Sequence, residues 1–147
     1  MVWGSISATG CTALHIIPGI LTGARYLNDI LQPIVLSFAR RAGAGFLYQD
    51  DNAILYPSQD VNHWFDHIDH SGWPAYSPDL SPIEHLWDTL GQHINGRDNP
   101  PRTVAGLTQA LLEEWQNIPQ QTIQRLDYSM RARCQECIDN NGGHTHY

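Results

Sequence analysis

Apolar residues fall at alternating or helical spacing along most of the 147 residues, which predicts one hairpin, one further strand and five helices. Residues 2–7 and 12–17 alternate and are joined around Gly10, as a hairpin requires. A helix is expected over about 22–41, with Ala24, Leu27, Ile30, Leu31, Ile34 and Phe38 on its core face. The run "GFLYQD", residues 45–50, reads as a buried strand that ends in acidic residues. Helices near 59–69 and 82–95 come next, then the polar, proline-bearing linker "NGRDNPPR". Two more helices are expected over about 103–117 and 120–140, with Pro119 between them and Gly142-Gly143 past the stop. The pattern contains no internal repeat and no low-complexity tract.

The stretch "WPAYSPDLSPIEHLWDTL", residues 73–90, crowds three prolines ahead of an amphipathic helix. Ile83, Leu86, Trp87, Leu90 and Ile94 recur at helical spacing and form its buried stripe. Ser81-Pro82-Ile83-Glu84 fits a capping box, with Ser81 as N-cap, Pro82 at the first helical position and Glu84 reaching back to the cap. The alternative is a carboxylate that faces a metal. Asp88 lies four residues on, so the two acids share a face and repel mildly unless a cation sits near them. Gly91 leaves space on the same face.

Length fits one domain with a real core. Eight arginines and no lysine stand against 15 acids, a net charge of −7. Nucleic-acid binding draws on a basic footprint, and the chain as a whole has none. Arg125, Arg131 and Arg133, with Arg40 and Arg41, are the basic clusters; contact with a DNA backbone is one reading, and an ordinary charged helix surface is the one preferred. No signal peptide and no run of 18 apolar residues is present, which leads to the expectation of a soluble, intracellular protein without membrane partners. Three cysteines give no disulfide framework. Cys134-x-x-Cys137 with His144 and His146 raises zinc, but the histidine spacing is too short for a finger. His63, His67 and His70 lie opposite Val61, Trp64, Phe65 and Ile68, so they read as a solvated face and not as ligands.

Taken together, "YQDDNA", "WPAYSPDLSPIEHLW" and the closing "SMRARCQ…GGHTHY" resemble the Tc1/mariner-type transposases, and the resemblance runs over essentially the whole chain. It implies an α/β fold, a truncated RNase H-like domain: a small mixed sheet with flanking helices and a helical C-terminus. Residues 1–97 would be a partial DDE catalytic core and 98–147 a C-terminal helical region. Asp51 matches the family's second catalytic aspartate and Glu84 its third acidic residue, both as ligands of Mg²⁺ or Mn²⁺. DNA (transposon ends) is the implied partner, the nucleus the implied compartment, and a homodimer is compatible. Family activity is Mg²⁺-dependent DNA cleavage and strand transfer.

Several positions depart from the family pattern. No residue here matches its first catalytic aspartate, so an inactive chain is expected; the alternative is a non-catalytic relic or co-opted interaction module. Asp50 stands where a glutamine is usual, and strand alternation turns Asp50 and Asp51 to opposite faces. Ile54 and Tyr56 replace a usual proline and histidine. Between Asp51 and Glu84 lie 32 residues, two fewer than the family's habitual spacing. The missing pair falls between Phe65 and Trp73, where "DHIDHSG" predicts no strand. Without the strand that carries the first aspartate, residues 2–7 are expected to pair antiparallel with 45–50, with marginal stability and dimerisation in solution.

Overall fold

The structure, a computed structural model, describes residues 1–50, 59–74 and 77–147. Four short strands come first: β1 (Val2–Trp3), β2 (Ile6–Ser7), β3 (Gly10–Cys11) and β4 (His15–Ile16). A continuous helical stretch follows, made of α1 (Gly23–Arg25), a π-helical segment (Tyr26–Val35) and α2 (Leu36–Ala42). Then come β5 (Tyr48–Gln49), α3 (Gln59–Phe65), β6 (His70–Ser71) and a 3₁₀ turn (Pro78–Leu80). The remaining helices are α4 (Pro82–Asn95), α5 (Val104–Asn117), α6 (Gln120–Tyr128) and α7 (Met130–Asp139). The chain divides into two compact units, Met1 with Ile17–Tyr76, and Val2–Ile16 with Ser77–Tyr147.

In the second unit the expected hairpin forms in two antiparallel pieces. Val2 faces Ile16 and Trp3 faces His15, whereas Ile6 faces Cys11 and Ser7 faces Gly10. The register slips by one residue between them, so the returning strand carries one extra residue, as a β-bulge does. Thr12 fills the irregularity: the Ser5 N–H donates to its hydroxyl at 2.9 Å, and its own N–H donates to the Ser5 carbonyl at 2.9 Å. The hairpin covers α4 and α5, and Leu14, Leu86, Leu90 and Trp115 form the centre of that core. Gly4 sits under the Trp115 ring, where a Cβ would come within 2.8 Å of it, so no larger residue fits without moving the indole.

Helix α4 matches its predicted bounds, and α5 is capped by Thr103, whose hydroxyl accepts from the Gly106 N–H at 3.1 Å. The helix expected over 120–140 is broken instead. At Ser129 the chain closes α6 by donating its N–H to the Arg125 and Leu126 carbonyls, and α7 restarts at once. The Ser129 hydroxyl donates to the Leu126 carbonyl at 2.6 Å, a local competition of serine with the helix ladder.

Arg97 ties α4 to α5 through Glu114 (2.6 Å) and Glu113 (3.1 Å), and His93 lies 3.4 Å from Glu114. The guanidinium, then the nearby imidazole, hold Glu114 below the usual carboxylate range. For Glu113 the Gln109 amide is the larger cause and Arg97 the next. Depressed folded values mean that this stabilisation is present above the unfolded carboxylate range and is lost as pH falls through the folded one. Thermal midpoints of the wild type and of Arg97→Gln should therefore differ near neutrality. They should converge only once pH has fallen below the depressed values of Glu113 and Glu114.

The first unit holds the long helical stretch, α3 and the β5–β6 pair. Its buried side chains include Ile30, Leu31 and Val61, each fully enclosed, with Tyr26, Val35 and Tyr48. The expected core face is corrected in part: Ile30 and Leu31 are buried, Ala24 is exposed, and Tyr26 and Val35 take its place. Buried positions 26, 30, 31 and 35 follow the wider i→i+5 repeat of a π-helix and not the α-helical one. Pro33 lies inside the segment; its ring crowds the preceding turn, and the Leu36 N–H donates to Leu31, five residues back.

Two further expectations are overturned. β6 forms within "DHIDHSG", where none was predicted, pairing parallel with β5 as Tyr48 to His70 and Gln49 to Ser71. A backbone partner decided this, not local propensity. The ladders of the described residues are three separate two-stranded pairs, so 2–7 does not pair with 45–50. Residues 2–7 find their partners inside the hairpin instead. No helix among the described residues is long and apolar enough to cross a membrane.

Candidate active site

The acidic end of β5 is fixed from one side. Tyr48 is buried, and its N–H donates to the Asp69 carbonyl at 2.8 Å, extending the parallel ladder. Two residues on, Asp50 lies on the same face by strand alternation. Both meet Tyr26 of the π-helical segment: its hydroxyl lies 2.9 Å from the Tyr48 hydroxyl and donates to Asp50 at 3.1 Å. Burial, then the neighbouring Tyr48 and Asp50, hold the Tyr26 phenol protonated far above its ordinary range. Asp50 is thus engaged by the helix layer. Asp51, the sequence-predicted ligand, lies outside the described residues. Tyr26→Phe removes both bonds from a buried network and should cost about 1–3 kcal/mol, read as a lower denaturation midpoint in urea.

Glu84 occupies the first turn of α4 and is half-buried. The proline-rich approach delivers it through a closed turn: the Leu80 N–H donates to Ser77 and the Ser81 N–H to Pro78, at 3.2 and 2.9 Å. Ser81 is the N-cap in extended conformation and Pro82 opens the helix, as the sequence predicts. The capping box itself is not made on the Ser81 side, because its hydroxyl caps nothing. Asp88 is exposed and accepts from the Gln92 amide at 2.7 Å, and a Cβ at Gly91 would meet open space.

The turn before α4 is held by residues that sequence pattern did not place there. Arg133, expected on a charged surface, is 1 % exposed. It donates to the Asp79 carbonyl at 2.5 Å and to the Ser129 hydroxyl at 2.8 Å, with the Tyr147 ring 4.5 Å from its guanidinium carbon. The Thr145 N–H donates to the Asp79 carboxylate at 2.7 Å, and chiefly this bond lowers the Asp79 pKa. An arginine spaced to fall on an inner helix face beside a C-terminal tyrosine was the available signal.

Of the other candidates, His63 and His67 meet edge to face with ring centroids 5.0 Å apart. His63, His67 and His70 are exposed, and His70 belongs to β6 and not to the α3 face. Cys134 and Cys137 carry free thiols, and His146 pairs with Glu136. Among the described residues no three of His, Cys, Asp or Glu gather into a metal-holding group.

No protein-family model matches the chain. The Tcb2 transposase of Caenorhabditis briggsae is 37 % identical over 152 residues, covering all of this chain and 54 % of that protein. The Tc1 transposase of Caenorhabditis elegans shows the same identity and coverage. The chain thus spans about half the length of the curated relatives it matches. Among solved structures, the Mos1 transposase catalytic domain bound to raltegravir with Mg superposes with a TM-score of 0.75 at 17 % identity, over 98 % of this chain and 83 % of that one. The Mos1 paired-end complex with the left transposon end gives 0.78 at 18 % identity, over 97 % and 43 %. The fold is therefore the RNase H-like fold of a transposase catalytic domain. The chain belongs to the Tc1/mariner-type transposases.

Proposed function

We propose that the protein acts in DNA transposition, as catalytic machinery that cuts transposon ends and joins them to a target. The observation that carries this is 37 % identity to a curated transposase in an alignment that covers the entire chain. Residues 1–97 are taken as the partial catalytic core and 98–147 as its helical extension. Asp51 and Glu84 would hold Mg²⁺ or Mn²⁺, the ions that accompany Mos1 structures. The donor set fits: carboxylate oxygens are the hard ligands that such ions take. Such an ion, when bound, activates a water or a 3′-hydroxyl and stabilises the leaving oxygen. The chain's own part is positional: Pro82 and the turn behind it orient Glu84, and the Tyr26–Asp50 bond anchors the strand end. DNA as partner, a homodimer that pairs two ends, and the nucleus follow from the same reading.

Within these residues the resemblance assigns two of the family's catalytic acids, Asp51 and Glu84. A chimera tests the function directly, with these residues replacing the matching part of the Tcb2 transposase. Mn²⁺-dependent cleavage at transposon ends, lost on Asp51→Asn or Glu84→Gln, is expected; cleavage indifferent to both changes contradicts the site. The net charge of −7 favours a second reading, a non-catalytic module that keeps the fold. Silence of a folded chimera with both acids intact would point to that module.

A further inference from the structure

We infer that Arg133, Asp79 and the segment at Thr145–Tyr147 form a clasp that sets the position of Glu84. The inference rests on the proposed role of Glu84 as a metal ligand. Burying a guanidinium is costly, and its cost is met only when its donors are satisfied. Arg133 directs Nη1 to a backbone carbonyl 54 residues away in sequence, that of Asp79, and Nε to Ser129 at the α6–α7 break. An apolar side chain would fill the same volume without that desolvation, so what the arginine adds is the location of the Asp79 carbonyl.

Asp79 is gripped at a second point, its carboxylate, by the Thr145 N–H. The Tyr147 ring lies against the Arg133 guanidinium, so the same chain segment touches both partners. From Asp79 to Glu84 the backbone has little freedom. Ser81 bonds back to Pro78, the Glu84 N–H donates to the Ser81 carbonyl at 3.2 Å, and Pro78 and Pro82 fix their own φ angles. A shift of Asp79 is therefore passed on to the first turn of α4. The glutamate is aimed by a residue near the far end of the chain.

The test uses the 147-residue chain, labelled for NMR. Arg133→Met and Thr145→Pro, the second removing the tail's N–H donor to Asp79, should speed amide exchange at Leu80, Ser81 and Glu84 by about tenfold or more. Leu111 and Leu112 of α5 should keep their wild-type rates, and Arg133→Lys should fall between. Unchanged exchange at 80, 81 and 84, or a uniform rise that includes α5, overturns the clasp. Should Arg133→Met fail to fold, Thr145→Pro decides, since it lies in the tail. Positioning is read separately, from the Mn²⁺ concentration that broadens the Glu84 amide resonance. That concentration should rise several-fold in both variants and in Asp79→Ala, and return toward wild type in Asp79→Asn, which keeps an acceptor oxygen. A wild-type Glu84 amide left sharp by Mn²⁺ overturns the ligand role alone; the exchange pattern then still confirms or refutes the clasp.

Discussion

Trp115→Ala should lower stability by about 3–5 kcal/mol, the range for removing a buried indole, and is expected to give the largest loss of any single change in its unit. Trp115 is 4 % exposed and lies in the core that joins the hairpin to α4 and α5. Its ring stacks on Trp87 with centroids 5.2 Å apart, and its Nε1–H donates to the Thr12 carbonyl at 2.8 Å. Truncation would leave a cavity over Gly4, whose missing side chain exists to admit the ring, and would strand a buried carbonyl at the bulge. Trp115→Phe keeps much of the volume but not the donor and should lose less. Urea unfolding followed by far-UV circular dichroism measures both. A loss below about 1 kcal/mol for the alanine variant would contradict the packing described.

Ile30→Ala should cost about 2–5 kcal/mol, whereas Ala24→Gln should change stability by less than about 0.5 kcal/mol. An α-helical face over 22–41 would include both positions. The π-helical repeat separates them, leaving Ile30 with no exposed surface and Ala24 in solvent. The contrast between the two variants therefore tests the wider helix directly. Comparable losses at both would restore the α-helical face. The same denaturant curves serve here, with the m-value checked for a constant reference state.

What the sequence made legible is local chemistry repeated over several residues. Helix α4 could be bounded because Ser81, Pro82 and a five-residue apolar stripe agree, and α5 because Thr103 caps a similar pattern. The hairpin was legible from alternation around Gly10, though not its bulge, which depends on Thr12 bonding across to Ser5. The π-helical segment was not legible, because single-sequence periodicity assumes a 3.6-residue repeat. β6 was missed because two residues paired by backbone alone leave no side-chain signature. The break at Ser129 and the burial of Arg133 belong together: the serine hydroxyl that interrupts the helix also accepts from the arginine. Long-range bonds such as Arg133 to Asp79 have no local trace. The pairing of 2–7 with 45–50 failed as an expectation because both segments found nearer partners. For the site, motif resemblance named Asp51 and Glu84, while Tyr26 and Asp79, which hold the flanking backbone, emerge only from contacts.

The proposed function stands on Asp51 and Glu84 as ligands of a divalent ion. Fe²⁺ substituted for Mg²⁺, with ascorbate and peroxide, cuts a polypeptide close to where the iron is bound, and the fragments can be located by mass spectrometry. Fragments ending near residue 51 and near residue 84 are expected together, suppressed by excess Mg²⁺, and both lost in either Asp51→Asn or Glu84→Gln. Cutting confined to the histidines at 63–70, or cutting near 84 that persists in Asp51→Asn, would contradict the account.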